Sequence, residues 1–156
     1  MKMKHMIVTV VGMSLFTAVT TFASVTDGVG TWAGSGSLFS IDGKPIANYS
    51  LGIVNTPVGP HGVQNVITIG LPDGTHKTIT QTEQDTADGF TIESDLGKGG
   101  GYCVGEGICL AYVGTDADAF AITTIKDDAS TKRMIMTELK NGKAVRVYRQ
   151  KYVKIN

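Results

Sequence analysis

The sequence predicts an all-β protein, an antiparallel up-and-down meander of about 8–10 strands that closes into a barrel. Short runs rich in β-branched and aromatic residues fill the chain after residue 23, and glycine, asparagine and aspartate separate them. No long segment there repeats its apolar residues with the 3.6-residue period of a helix. A meander of this length avoids two open edges by folding into a sandwich or by closing, and we expect closure.

The first element, residues 1–23, has the pattern of a secretory signal peptide. Two lysines precede an apolar run, and small residues surround the expected cleavage position after Ala23. The apolar run is too short, and too often interrupted by threonine, to span a membrane comfortably. We therefore expect a single barrel domain over residues 24–156, in a periplasmic or secreted protein with no stable membrane anchor.

Turn sequences divide this domain into its strands. Asp42-Gly43, Pro72-Asp73-Gly74, Asp88-Gly89 and Asn141-Gly142 are turn signals, because these residues tolerate the positive φ angles of tight hairpins. The predicted strands cover residues 30–41, 45–54, 62–71, 75–83, 89–94, 100–104, 108–114, 118–126, 131–139 and 143–155. Nearly all of them are joined by short connections, as in a meander.

Alternation of apolar and polar residues distinguishes the faces of these strands. Residues 45–54 and 62–71 each carry one apolar face, as half-buried strands do, although Asn65 interrupts the second. Residues 75–83 carry no such face, so this segment either projects beyond the sheet as an exposed hairpin or lines a wet interior. The exposed hairpin is the slightly favoured interpretation.

The two cysteines of the chain flank Glu106 symmetrically, and in an exported protein such a pair favours a disulfide. If Glu106 is the apex of a hairpin, Cys103 and Cys109 lie opposite each other on adjacent strands, within disulfide distance. Closing so short a loop contributes about 2 kcal/mol. A thioredoxin-like site needs a C-x-x-C spacing and a zinc site needs more ligands, so we expect no metal here.

The charge distribution argues against general nucleic-acid binding. The chain has 14 basic and 14 acidic residues, and removing residues 1–23 removes two lysines and no acid. Nine of the remaining basic residues lie within residues 126–156, which makes the C-terminal end locally positive. These charges either solvate the outer face of the last strands or form a surface for a protein partner, and solvation is the favoured interpretation.

The first strand begins with Gly30-Thr-Trp32, and a G-x-W at the start of a meander resembles the calycin barrels, the lipocalins and fatty-acid-binding proteins. The resemblance implies that Trp32 closes one end of the barrel. It also implies that Arg146 or Arg149, from the last strand, packs across the indole by cation–π attraction. The last hairpin resembles that of fatty-acid-binding proteins, where an R-x-Y pair holds a ligand carboxylate. The implied ligand-binding residues are therefore Trp32, Arg146 and Tyr148.

Alternation along the last strand points the other way for the R-x-Y pair. Four aliphatic residues between positions 145 and 155 share the face opposite Arg146 and Tyr148. If that aliphatic face forms the interior, the arginine and the tyrosine point to solvent. The solvent orientation is the slightly favoured interpretation.

No set of residues assembles a nucleophile, a base and an oxyanion donor, so we expect a non-catalytic protein without a cofactor. The favoured function is an exported binding protein that holds a small lipophilic ligand, apolar or acidic-headed, in its lumen. The alternative is a protein-interaction module, such as an inhibitor of an envelope or extracellular hydrolase. Such a module would use the Glu106 loop or the basic C-terminal hairpin.

Overall fold

The computed structural model describes residues 24–105 and 107–155, which form a closed barrel of ten antiparallel strands. A short 3-10 helix, η1, precedes the first strand. The elements are η1 (Val25–Gly28), β1 (Gly30–Ser40), β2 (Pro45–Pro57), β3 (Gly62–Gly70), β4 (His76–Thr86), β5 (Gly89–Ser94), β6 (Gly97–Val104), β7 (Ile108–Gly114), β8 (Asp118–Lys126), β9 (Thr131–Lys140) and β10 (Lys143–Lys154).

This architecture confirms the predicted all-β barrel. The predicted signal peptide and the apex residue Glu106 lie outside the described residues. Within the described ranges, no helix has the length and apolar character needed to cross a membrane.

The strands pair in chain order, and β1 closes the barrel by pairing with β10 as well as with β2. In the closing pair, Trp32 lies opposite Lys154, and Ser40 lies opposite Arg146. The two strands approach closely at Gly34, where an added Cβ would lie 2.1 Å from the backbone oxygen of Lys151. Closure gives each of the ten strands two hydrogen-bonded neighbours and so removes the open edges of the meander.

The turn between β9 and β10 shows how local sequence sets the register of the barrel. Asn141 and Gly142 both have positive φ angles, 47° and 76°, as the two-residue turn that suits twisted strands requires. The register that follows places Lys132 of β9 opposite Tyr152 of β10. A single Asn-Gly pair thus brings two interior side chains together.

The inner face of β10 carries polar and aromatic residues, and its aliphatic residues face outward. Tyr152 is 2% exposed, whereas Val153 is 46% exposed. The solvent orientation favoured for Tyr148 is therefore wrong, because its hydroxyl donates to the buried carboxylate of Glu138 over 2.9 Å. Arg146 lies on the same side of β10 but near the rim, with its side chain half exposed. Outward valines are compatible with this arrangement because β-branched residues favour strands on either face.

Strand β4 lines a polar interior. Ile79 is buried, and Gln81 and Glu83 border an internal cavity. The exposed-hairpin interpretation holds for residues 75–78, which are exposed, whereas Ile79, Gln81 and Glu83 face the interior as the alternative predicted. The physical reason is that the polar side chains of β4 bond to one another and to β3, so they do not need solvent.

The interior has two halves, and the half away from η1 is filled. Tyr148 makes edge-to-face contacts with Tyr49 and Phe120, with ring centroids 6.4 and 6.2 Å apart. Gln150 donates to the hydroxyl of Tyr49 over 3.0 Å and accepts from the hydroxyl of Tyr152 over 2.5 Å. We call these five side chains the aromatic plug. The plug leaves the half of the lumen beside η1 as the place where a cavity opens.

Candidate functional site

A cavity of about 200 Å³ lies inside the barrel beside η1 and Trp32. Most of its wall is apolar, and residues of η1 and of nine strands, β1 to β9, contribute to it. Its larger apolar side chains are Ile53, Ile67, Phe90, Ile92, Ile122 and Met134. A concave, largely apolar wall with a small number of polar groups is the usual form of a small-molecule site.

Trp32 closes the end of this cavity and is 3% exposed. Its indole nitrogen donates to the carbonyl oxygen of Gly28, the last residue of η1, over 3.0 Å. Asn55 donates its amide hydrogen to the same oxygen over 2.7 Å. These two bonds hold η1 across the end of the barrel, so Trp32 and η1 form one lid.

A second attachment holds η1 to β4. The hydroxyl of Ser24 donates to one carboxylate oxygen of Asp85 over 2.5 Å, and the backbone N–H of Val25 donates to the other over 3.0 Å. Bonds to a charged acceptor are stronger than those between neutral groups. The lid is therefore fixed at both of its ends.

Two lysines, and not the predicted arginines, lie over the indole of Trp32. The ammonium of Lys132 is 4.3 Å from the ring centroid, and that of Lys154 is 5.6 Å away. Both distances are within the range of cation–π attraction. The register explains the difference, since Lys154 pairs with Trp32, whereas Arg146 lies at the far end of β1. Arg149 lies over the ring of Phe39 instead.

Lys132 is the unusual cation of the site because it is half-buried. Burial lowers the pKa of its ammonium to about 8, and the nearby charge of Lys154 acts in the same direction, while Glu83 opposes them. Among the described residues, no carboxylate forms an ion pair with Lys132. A desolvated lysine beside a cavity is a common feature of functional sites.

Glu83 faces the same cavity from β4. One of its oxygens, Oε1, accepts from the amide of Asn65 over 2.8 Å and from the amide of Gln81 over 2.6 Å. Burial raises the pKa of Glu83, against the lowering effects of these hydrogen bonds and of Lys132. No described residue donates to its other oxygen, Oε2. The carboxylate is thus held from one side and open on the other.

Two amide oxygens of the cavity wall lack partners within the described residues. They are Oδ1 of Asn55 and Oδ1 of Asn65, on side chains that are 8% and 7% exposed. Their orientation follows from the amide nitrogens, which bond to groups that accept, Gly28 O and Glu83. Each unpaired buried acceptor costs about 1–3 kcal/mol. These costs concentrate at the cavity.

The residues implied by the R-x-Y resemblance lie elsewhere. Tyr148 belongs to the aromatic plug, and Arg146 lies 3.7 Å from Glu138 at the opposite end of the barrel from η1. Of the three predicted ligand residues, Trp32 alone borders the cavity. The binding roles of Arg146 and Tyr148 stay predictions.

Sequence analysis missed Lys132, Glu83 and Asn55 as site residues. One signal was present, because Asn65 interrupts the apolar face of β3. A polar residue on a core-facing position needs a partner, and here it points to the carboxylate of Glu83.

The cysteines lie opposite each other on β6 and β7, as the sequence predicts. The sulfur atoms of Cys103 and Cys109 are 2.05 Å apart, and both residues border the cavity. The described part of the chain contains no cluster of histidine, cysteine and acidic side chains suited to a metal ion.

Comparison with known proteins gives likeness in fold alone. No protein-family model matches the chain, and no curated protein matches it in sequence. An S-type phycobiliprotein lyase, CPES, from Guillardia theta matches with a TM-score of 0.69 and 11% identity, over 83% of this chain and 89% of that chain. The Rv2717c protein from M. tuberculosis matches with a TM-score of 0.65 and 13% identity, over 85% and 95%.

A third solved structure is a protein of unknown function of the DUF3598 family from Nostoc punctiforme. It matches with a TM-score of 0.68 and 13% identity over 86% of this chain. This chain spans about half the length of that protein, 50%. Together the three likenesses show that the chain shares its barrel fold with these proteins.

The comparison corrects one prediction. The sequence led us to expect a non-catalytic protein, but a protein that shares this barrel is a lyase. The exclusion of enzymes is therefore wrong. A fold supports many functions, and function has to be argued from the site.

Proposed function

We propose that the protein binds a small, largely apolar organic molecule in the cavity between Trp32 and the aromatic plug. The observation that carries this proposal is the partly open, largely apolar cavity of about 200 Å³ inside the barrel. A dry cavity of about 150 Å³ accepts a molecule of the size of benzene. The ligand is therefore expected to have one ring, or a short chain of similar volume.

The energetics of the cavity wall support this proposal. Lys132 and the unpaired amide oxygens of Asn55 and Asn65 all reduce the stability of the empty barrel. Proteins commonly retain such groups where function requires them. Binding is the step that a carrier and an enzyme share, so the proposal covers both.

We further propose that the barrel domain is exported, to the periplasm or the extracellular space. The support is the signal-like pattern of residues 1–23 together with the disulfide pairing of Cys103 and Cys109, which is typical of oxidising compartments. The intact mass of the protein recovered from cell fractions tests this. A product that lacks residues 1–23 outside the cytoplasm is expected, and an uncleaved cytoplasmic product would contradict the proposal.

The binding test uses the only tryptophan of the chain, which closes the cavity. Single-ring aromatic probes without their own emission above 320 nm (roughly the onset of indole emission) should change the fluorescence of Trp32 in a saturable way. Native mass spectrometry of the same samples should show one bound molecule per chain. Failure of every probe by both measurements would refute a lumen site.

A pair of matched variants locates the binding. Ala111 borders the cavity, so Ala111→Phe should fill it and abolish the titration. Ala144 is exposed at the start of β10, and Ala144→Phe should leave the affinity unchanged. Equal affinities for the two variants would place the probe outside the cavity.

The alternative of a protein-interaction module stays a prediction, and its Glu106 loop lies partly outside the described residues.

A further inference from the structure

The polar end of the cavity has a mismatch of hydrogen-bonding groups, which specifies the ligand further. Two buried acceptor atoms there lack a donor among the described residues, Oδ1 of Asn55 and Oδ1 of Asn65. The hydrogen bonds of Glu83 all go to Oε1, which leaves Oε2 as a further acceptor, and the ammonium of Lys132 forms no ion pair with a described carboxylate. A complementary ligand therefore supplies one acceptor and more than one N–H or O–H.

Lys132 and Glu83 both border the cavity but do not form an ion pair with each other. They come from β9 and β4. Each still affects the protonation of the other through space. Because both side chains border the same cavity, a head group bound there can reach both of them.

We propose that the ligand is a single apolar ring with a neutral carboxamide-type head group, whose carbonyl accepts from Lys132 and whose N–H₂ donates to Glu83. This inference rests on the proposed function and deepens it. A carboxylate head carries no N–H or O–H and would leave the oxygens of Asn55, Asn65 and Glu83 without donors. An ammonium head would meet the charges of Lys132 and Lys154, which both lie over Trp32.

Four probes of nearly equal size separate these possibilities. Benzamide, benzoate, benzylamine and toluene share the ring and differ in the head group. At pH 7, with the protein as purified from the expressing cells, titration of the Trp32 fluorescence should give benzamide the highest affinity. We expect benzamide to bind at least about tenfold more tightly than each of the other three, since a bond to a charged group is lost in each case.

Two variants test the assigned contacts, with toluene as the measure of an intact cavity. Lys132→Met and Glu83→Gln should each weaken benzamide binding at least about tenfold. Both should leave toluene binding within about threefold, because the apolar wall is unchanged. Lys151→Met, on the exposed side of β10, is the matched control and should change neither affinity.

The outcomes distinguish this inference from the proposed function. Equal affinities for benzamide and toluene would overturn the head-group assignment while the lumen site stands. Tighter binding of benzoate or benzylamine than of benzamide would overturn it as well. If none of the four probes binds the wild-type protein, both the lumen site and the head-group assignment fail. If Lys132→Met and Glu83→Gln both still bind benzamide more tightly than toluene, the assigned contacts are overturned as well.

Discussion

Replacing Lys132 with methionine is expected to stabilise the protein at pH 7. The pKa of this lysine falls from 10.5 to about 8, with burial as the main cause, and a difference of that size corresponds to about 3 kcal/mol. Because the folded-state pKa lies below the unfolded-state value, the penalty is fully present below pH 8 and disappears as the pH rises to 10.5. Loss of the cation–π contact with Trp32 removes about 1 kcal/mol of stability. The net gain at pH 7 is therefore about 2 kcal/mol.

The assay is urea unfolding at pH 7 and at pH 10, followed by tryptophan fluorescence. The free energy of unfolding of Lys132→Met should exceed that of the wild type by about 2 kcal/mol at pH 7. At pH 10 the two proteins should have nearly equal stability, because most of the penalty has gone. Lys151→Met should match the wild type within about 0.5 kcal/mol at both pH values, as surface substitutions usually do.

Two results would refute this reasoning. If Lys132→Met lowers the stability at pH 7, the lysine supports the fold and its burial has no functional meaning. If the difference between the variant and the wild type is the same at pH 7 and pH 10, the pKa of Lys132 is not lowered. The groups that face Lys132, namely Glu83, Lys154 and Tyr152, are kept in both proteins. Their own titration therefore largely cancels in the comparison.

Three further predictions concern the barrel and the plug. Replacing both Cys103 and Cys109 with alanine should lower the free energy of unfolding by about 2 kcal/mol, and an unchanged urea midpoint would contradict the loop-closure argument. Gly34→Ala should lower the free energy of unfolding by about 2 kcal/mol or more, because the new Cβ meets the backbone of β10. Gly52 has open space around the position of an added Cβ, so Gly52→Ala should change the free energy of unfolding by less than about 1 kcal/mol. Equal midpoints for these two variants would refute the close approach. Tyr148→Phe removes the hydrogen bond to Glu138 and should lower the free energy of unfolding by about 1 kcal/mol, without changing the affinity for the probe. A tenfold weaker affinity would place Tyr148 in the ligand site.

The barrel was predictable because its signals are local. Turn pairs such as Asn141-Gly142 and short β-branched runs act over a few residues, so the strands were located to within about three residues at most ends. The predicted strand 45–54 continues to Pro57, and the predicted strand 75–83 continues to Thr86. Neither extension contains a large apolar residue, so alternation of apolar and polar residues cannot assign them to a strand.

The site was less predictable because it depends on pairs that are distant in sequence. Nothing near Lys132 in the chain indicates that it lies over Trp32, 100 positions earlier, since only the closed register brings them together. Glu83 and Asn65 meet across one strand pair, yet the polar face of β4 has the same pattern as a solvated hairpin. Alternation of apolar and polar residues shows which side chains share a face of a strand. Which face is buried depends on how the whole barrel closes.

The contrast between the two halves of the lumen is the strongest reason to assign function to the cavity. In the aromatic plug, the hydroxyls of Tyr148 and Tyr152 and the amide of Gln150 all find partners, so this chain can satisfy polar groups in its own interior. At the other end, Asn55 and Asn65 keep unpaired oxygens. Their amide nitrogens have partners in the protein, because Asn55 donates to Gly28 and Asn65 donates to Glu83. Their oxygens have no donor among the described residues, so a ligand in the cavity that carries N–H or O–H groups would satisfy acceptors that the polypeptide leaves unpaired.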